Sequence, residues 1–469
     1  MSLWISWIQA VHLLRPACSR SRTFFWMILV LMGFCCRMDL AGVTSFVRLF
    51  GFQDKAYHRF LHFFHSKSVN LDKLTACWLR LCLTLFRPFE VGSRLVVLAD
   101  GIKAPKEGKR MPAVKSLHQQ SASNTKPEYI MGHSLQAISL LVQGPSGRVA
   151  AVPLTSRIHE GVVFSNRDHR SLLDKLVTLL ISITKVWGRK VILVADAYYG
   201  SGKLILALLG DGHQLVTRAK SNAVAYLPVP IPAQRKRGRP KTYGAKVRIK
   251  DLAEEDSAFT DAPSPVYGES DVTLRYRCID LMWRPVGRIV RFVIVRHPNR
   301  GTIFLLSTDL TLTPLEILLL YGYRFRIEVG FRQAVHVLGA YGYHFWMKAM
   351  DPIRRGDGDQ HPHRKTEAYR KAIRRKIAAY HLYVQLGCIA QGLLQHLSLN
   401  HTAEVWRCFH SWLRTMKPGL PPSELVVANA LRGAIPEFFA SPDLDPILSK
   451  FIHYYAPPIP HLDTGPTAA

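Results

Sequence analysis

Arg94-Leu-Val-Val-Leu-Ala-Asp100 decides the fold. Five apolar residues run without a polar break, end on an acid and are followed by Gly101. An uninterrupted apolar run of this length is the pattern of a strand buried on both faces. An acid at its carboxyl end stands where α/β folds place their chemistry. The pattern returns at Val191-Ile-Leu-Val-Ala-Asp196. If the two strands are neighbours, two carboxylates come together, and they repel unless something positive lies between them. A hard divalent cation such as Mg²⁺, which takes oxygen ligands, meets that need. A single Asp after a strand is as readily a turn residue or a helix N-cap. The repeated ending is what points to a site.

The 469 residues suffice for two or three domains, or for one large core with an insertion. An apolar content of 48% excludes a disordered chain. Lys and Arg number 62 against 33 Asp and Glu, a net charge of +29. Such an excess predicts a polyanionic partner, nucleic acid first and an anionic membrane second. The eight Cys include no C-x-x-C pair, so neither a zinc site nor a disulfide framework is expected, and a reducing cytosol fits. The apolar stretch 23–36 is shorter than the roughly 20 residues that span a bilayer. It reads as a buried helix, although its flanking Arg20, Arg22 and Arg37 also suit a signal peptide.

Residues 1–90 read as a helical domain with candidate helices at 5–15, 23–36, 42–50, 54–65 and 70–85. Residues 39–64 give two short helices joined at Gly51, a spacing open to a helix-turn-helix as well as to an ordinary helical hairpin. Arg48 and Arg59 are its candidate phosphate contacts. A first strand at 94–99 is followed by a basic loop with Lys103 and Lys106, placed to meet a phosphate backbone or simply to be solvated. Runs at 134–142 and 148–154, separated by a Gly-Pro-Ser-Gly turn, predict a hairpin and hence an antiparallel meander. A helix at 169–187, the second acid-ending strand, a helix to about 209 and a strand at 214–218 complete a segment 91–220.

Residues 221–310 change character. Arg235, Lys236, Arg237, Arg239 and Lys241 lie in a basic stretch suited to a minor groove or a phosphate backbone. Strands follow at 272–279, 288–295 and 302–308, so the block reads as a β-rich insertion. Pro314 then opens a helix predicted over 313–338. On it Tyr321, Arg324 and Glu328 fall at i, i+3 and i+7, on one face. Glu328 is positioned to complete the oxygen ligands begun by Asp100 and Asp196, or to form an ordinary helical ion pair with Arg324. Helices at 366–398 and 403–415 follow, and a Pro-rich tail carries little signal.

These residues resemble the DDE transposases of bacterial insertion sequences, in the branch marked by Tyr-x2-Arg-x3-Glu-x6-Lys. Tyr321, Arg324 and Glu328 match its first three positions, and position 335, where Lys is expected, is Val. Leu-Ser-Thr-Asp309 before the helix, Gly132-His133, and Ala-Asp196-Ala-Tyr-Tyr are also similar. The resemblance covers roughly residues 23–400. It implies an α/β fold: an RNase H-like catalytic core interrupted by a β-rich insertion and flanked by helical amino- and carboxyl-terminal regions. The divisions are then 1–90 for DNA binding, 91–220 and 311–400 for the two parts of the core, 221–310 for the insertion and 401–469 for the helical carboxyl-terminal region and tail.

The resemblance further implies that Asp100, Asp196 and Glu328 are the catalytic acids and hold Mg²⁺ or Mn²⁺, two ions per site. Tyr321 and Arg324 position DNA, with Arg332 and His336 as the nearest replacements for the missing Lys. The expected activity is cutting and joining DNA at element ends and into target DNA, by a homodimer assembled on the DNA in the cytoplasm, at the nucleoid, without a membrane. A DNA-binding relative without catalysis, and an RNase H-like nuclease without strand transfer, share the same composition.

Overall fold

The computed structural model describes residues 3–456 apart from 41, 120–126, 230–240, 267 and 443. Five strands build the centre: β1 (Arg94–Pro105), β2 (Tyr129–Gln143), β3 (Val149–Ile158), β4 (Val191–Ala195) and β5 (Gln214–Arg218). β1, β2 and β3 form an antiparallel meander, while β4 lies parallel to β1 and β5 parallel to β4. The order is therefore β3-β2-β1-β4-β5. Residues 221–310 add β6 (Thr273–Trp283), β7 (Arg288–His297) and β8 (Gly301–Ser307). These continue the same sheet, because β8 pairs antiparallel with β5. The fold is a mixed α/β architecture around one large mixed sheet, with helical regions at both ends of the chain, as an RNase H-like core requires.

The apolar runs are continuous because both faces of the sheet are covered. Leu95, Val97 and Ala99 enter one core, and Val96 and Leu98 enter the other. The first core is closed by helices α1 (Ser21–Cys36), α2 (Leu71–Leu85), α3 (Leu172–Trp187) and α4 (Gly202–Gly210). The second is closed by α5 (Pro314–Tyr323) and α6 (Phe325–Gln333), which supply Ile317, Leu320 and Ile327.

The longest helix, α7 (Glu367–Asn400), runs along β3, which pairs only with β2 among the described strands. An exposed strand edge invites pairing with another chain. Here Gln385 and Gln395 of α7 donate to the Leu154 and Ala151 carbonyls at 2.9 and 3.2 Å, and Trp78 donates to the Pro153 carbonyl at 2.9 Å. The helix is long and apolar enough to cross a membrane, yet 83% of its apolar window is buried inside the protein. Gly392 lies where α7 meets Trp78; a Cβ there would stand 2.3 Å from the indole ring.

Four expectations need correction. The first strand does not stop at Ala99: it continues to Pro105, paired against Gly132–Ala137, so Asp100 lies within a strand. Gly132 permits this, since its Cβ would fall 2.5 Å from the Ala104 carbonyl oxygen. Helix 313–338 is broken: α5 ends at Tyr323, α6 begins at Phe325, and a π turn follows at Ala334–Leu338. Backbone bonds tighten to i−3 around Arg324, which is what bends the chain there. The helix expected at 403–415 stops at Cys408. Beyond it, three further helices, Glu424–Gly433, Ile435–Ala440 and Pro446–Tyr455, pack back onto the amino-terminal helices, with Tyr455 buried against Trp26.

Gly392→Ala should destabilise the protein by about 1–3 kcal/mol through overpacking, read as a lower urea midpoint; an unchanged midpoint would mean that the indole yields freely. His133 is fully buried and His381 half-buried, and burial pushes both down to about 3. The folded state therefore keeps them neutral while the unfolded chain takes up protons. Stability present above about pH 6.5 should fall on acidification by up to about 1.4 kcal/mol per pH unit for each group. Urea midpoints at pH 7 and pH 5 check this, and His133→Asn should flatten the slope.

Candidate active site

Asp100 and Asp196 come together through strand register. Ala99 is opposite Ala195 in the parallel pair, so the two acids are the next residues on adjacent strands. Asp196 is also the N-cap of the short turn Ala197–Tyr199, its Oδ1 accepting from the Ala197 N–H at 2.6 Å. Asp100 Oδ1 accepts from the Gly101 N–H at 2.8 Å. Two buried polar side chains hold the backbone beneath them. Gln136 donates to the Asp100 carbonyl at 3.0 Å and accepts from the Tyr199 hydroxyl at 3.2 Å, and Thr217 donates to the Asp196 carbonyl at 2.8 Å. Neither Gln136 nor Thr217 was foreseen, because a polar residue inside an apolar run gives no sign of what it faces across the sheet.

The third acid arrives from α6. Arg324, at the break before that helix, places one guanidinium nitrogen 3.2 Å from Asp100 Oδ2 and another 2.6 Å from Glu328 Oε1. A single planar cation thus bridges an acid of β1 and an acid of α6. Burial raises the Asp100 carboxyl above its usual range; the Gly101 N–H and Arg324 draw it down, and the charges of Glu328 and Asp196 push it up. All three acids therefore share one electrostatic neighbourhood. Tyr321 completes it: burial raises its phenol, with Arg324, Asp196 and Arg218 close enough to act on it.

The far end of the Glu328 segment is held by a second arginine. Arg37 is buried and donates to the Leu338 and Gly339 carbonyls, to the Gly42 carbonyl at 3.1 Å and to Ser45 Oγ at 2.9 Å. Gly339 has φ +60, and a Cβ there would meet the Arg37 guanidinium at 2.5 Å. A glycine in the left-handed conformation ends the π turn and lets the arginine cap it.

The oxygen donors Asp100, Asp196 and Glu328 suit a hard divalent ion in chemical type. Among the described residues no group of three His, Cys, Asp or Glu is drawn close enough to hold an ion. The cation between Asp100 and Glu328 is the guanidinium of Arg324.

A family model for DDE superfamily endonucleases matches residues 26–266, just over half of the chain. The chain belongs to the DDE superfamily endonucleases. It is thus a transposase-like nuclease whose substrate is DNA. The match includes Asp100 and Asp196 and ends before Glu328. No curated protein matches the chain.

The remaining candidate residues of this endonuclease fall in different surroundings. Arg59, Lys103, Lys241, Arg332 and His336 are exposed. Lys103 donates to the His118 carbonyl. Arg48 is exposed but paired with Asp39 at 2.7 Å. Lys106 is a correction: it is buried, donates to the Tyr341 and Tyr343 carbonyls, and lies 4.1 Å from the Tyr343 ring centroid, with burial pushing it down to about 8. It ties β1 to the segment after α6 and does not face a phosphate. Arg235, Lys236, Arg237 and Arg239 lie outside the described residues.

Arg324→Gln would leave Asp100 and Glu328 without their cation. The expected cost at pH 7 is about 1–3 kcal/mol, between that of an exposed and a buried pair. Protonation relieves the repulsion, so the deficit should shrink as pH falls through the carboxyl range. Urea unfolding of wild type and variant at pH 7 and pH 4.5 tests the bridge; an equal stability at both would show that it carries no load.

Proposed function

We propose that this endonuclease cuts DNA at the ends of an insertion sequence and joins the freed ends to target DNA, with Asp100, Asp196 and Glu328 as its metal-binding acids. The observation that carries the reading is the Arg324 bridge between Asp100 and Glu328, with Asp196 at the adjacent register position. Two of the three acids, one from a strand and one from a helix, share one cation, and the third stands beside them at the end of the neighbouring strand, an arrangement that structural turn acids do not require. The two expected ions, Mg²⁺ or Mn²⁺, would supply activation of the attacking water or 3′-hydroxyl and stabilisation of the leaving oxygen.

The chain's own groups then divide the remaining work. Asp100, Asp196 and Glu328 would hold the ions. Gln136 and Thr217 fix the backbone from which the two aspartates project. Arg324 carries a delocalised charge with several donors, so once drawn off the carboxylates it can clamp a phosphate in two places. Tyr321, beside it, orients the strand. Arg332 is exposed one helical turn beyond Glu328 and supplies the cation that Val335 lacks. The partner is double-stranded DNA, the working form is a dimer on paired ends, and the place of action is the nucleoid in the cytoplasm.

Asp196→Asn should keep DNA affinity within about twofold while lowering strand cleavage by about a hundred- to a thousandfold, the size of loss seen when one preorganised electrostatic group is removed from an active site. The measurement is nicking of a plasmid carrying the element ends in Mg²⁺ or Mn²⁺, beside a binding assay on the same ends. Cleavage at the wild-type rate would refute the assignment. Wild-type cleavage without joined products would favour a nuclease lacking strand transfer.

A further inference from the structure

Two helices form a basic face that no part of the acid site uses. One is the helix Lys55–Phe64, which buries Ala56, Phe60, Phe63 and Phe64 and exposes Lys55, His58, Arg59 and His62. The exposed positions recur at i, i+3, i+4 and i+7, so they make one stripe. The other is the amino-terminal third of α7, which exposes Lys371, Arg374 and Arg375. The helices meet at His65, where Arg375 donates to the backbone carbonyl at 3.3 Å and Lys376 Nζ lies 2.8 Å from the ring Nε2.

The sheet register places this face. Going down β3, α7 contacts Ile158 through His381, Leu154 through Gln385 and Ala151 through Gln395. Rising residue number along α7 therefore descends the sheet. Ile158 is opposite Leu135, which is opposite Ile102, two residues beyond Asp100. The ten residues of α7 that precede His381 then rise about 15 Å past the level of Ile102 at 1.5 Å per residue. Ile373, Ala379 and Tyr380 keep this stretch packed on the core, while its exposed Lys371, Arg374 and Arg375 lie toward the end of the sheet where Asp100 stands.

The charges there are unbalanced. Glu367 is the acid on this end of α7, and it is paired with Arg370 at 2.7 Å and Arg374 at 3.3 Å. Among the described residues no carboxylate lies in ion-pair range of Arg59, Lys371 or Arg375. A chain of net charge +29 repels a second copy of itself at such a face. Exposed, unpaired cations on two rigid helices suit a row of phosphates, whose contacts need no base edges.

We propose that the face made by Lys55–Phe64 and the amino-terminal third of α7 is a docking track for the sugar–phosphate backbone of duplex DNA beside the cleaved position. The proposal rests on the reading that this chain brings DNA to Asp100, and it adds the surface that carries the flanking duplex. The track holds DNA without reading its sequence, so it serves element and non-element duplex alike.

The test is fluorescence anisotropy with the full chain and two labelled duplexes, one bearing the element end and one of scrambled sequence, over a range of NaCl. The variant Arg59→Gln/Lys371→Gln/Arg375→Gln should bind both duplexes about 10- to 100-fold more weakly, with the slope of log K against log salt shallower by about 2 to 3, close to 0.9 per lost phosphate contact. Its melting curve should match the wild type, and Lys185→Gln, on exposed α3 surface, should leave binding within twofold. Wild-type binding that the triple variant reproduces in affinity and slope would overturn this inference alone. A weaker variant with an unchanged slope and a smaller assembled mass would also overturn it, by assigning the face to a copy–copy contact. Failure of the wild type to bind either duplex would overturn the functional reading together with it.

Discussion

The guanidinium of Arg324 between Asp100 and Glu328 is the contact on which the architecture of the site turns. Carboxylates placed on neighbouring strands, with a third on a helix above, cannot remain ionised together without a positive charge among them. The sequence supplies that charge from the same helical segment that supplies the third acid. This fixes where the helix must break. For Arg324 to reach down to β1 while Glu328 stays on the same side, the chain tightens at residue 324 and restarts at Phe325. The broken helix is therefore part of the site.

The second constraint is burial on both faces of the sheet. With helices on each side, the faces are closed to a substrate as large as DNA, and chemistry is left to the edge where strand ends and following turns emerge. Asp100 and Asp196 reach that edge by register, held from below by Gln136 and Thr217. The lateral edge at β3 is closed by α7, whose glutamines meet the free carbonyls that would otherwise recruit another strand. Arg37 plays a matching part at the far end of the Glu328 segment, where it takes the last carbonyls of the π turn. Glu328 is thus fixed between two arginines, one facing the acids and one facing the amino-terminal helices. That ties the Glu328 segment to the amino-terminal helices.

Much of this was legible in the sequence because it depends on local pattern. Runs such as Leu95–Ala99 and Val191–Ala195 announce doubly buried strands, and their shared Ala-Asp ending announces two carboxylates that meet if the strands are neighbours; the parallel register itself is seen only in the structure. The spacing of Tyr321, Arg324 and Glu328 announces one helical face. What stayed hidden depends on partners distant in the chain. Nothing near Asp100 says that β1 continues to Pro105; the cause is Gly132, which lets the opposite strand approach the Ala104 carbonyl. Lys106 reads as one more loop cation, yet it is enclosed by Tyr341 and Tyr343, more than 200 positions away in the chain. The carboxyl-terminal helices read as a weak tail because part of their apolar cover, including Trp4 against Phe438 and Trp26 against Tyr455, comes from the other end of the chain.

The helix after Glu328 shows how a motif can be incomplete in letters and coherent in space. Val335 stands exposed, where a bare apolar side chain gains nothing from burial. Its helix turns from α into π at Ala334, so position 335 lies at the point where the regular projection of side chains is lost. Arg332 lies before that change, one regular turn beyond Glu328, and remains exposed. A cation at 332 keeps the helical register of Glu328, whereas a cation at 335 would leave the helix after the winding has altered. Arg332 therefore shares the helical face of Glu328, and the winding changes only after it, in the turn whose end Arg37 and Gly339 hold closed.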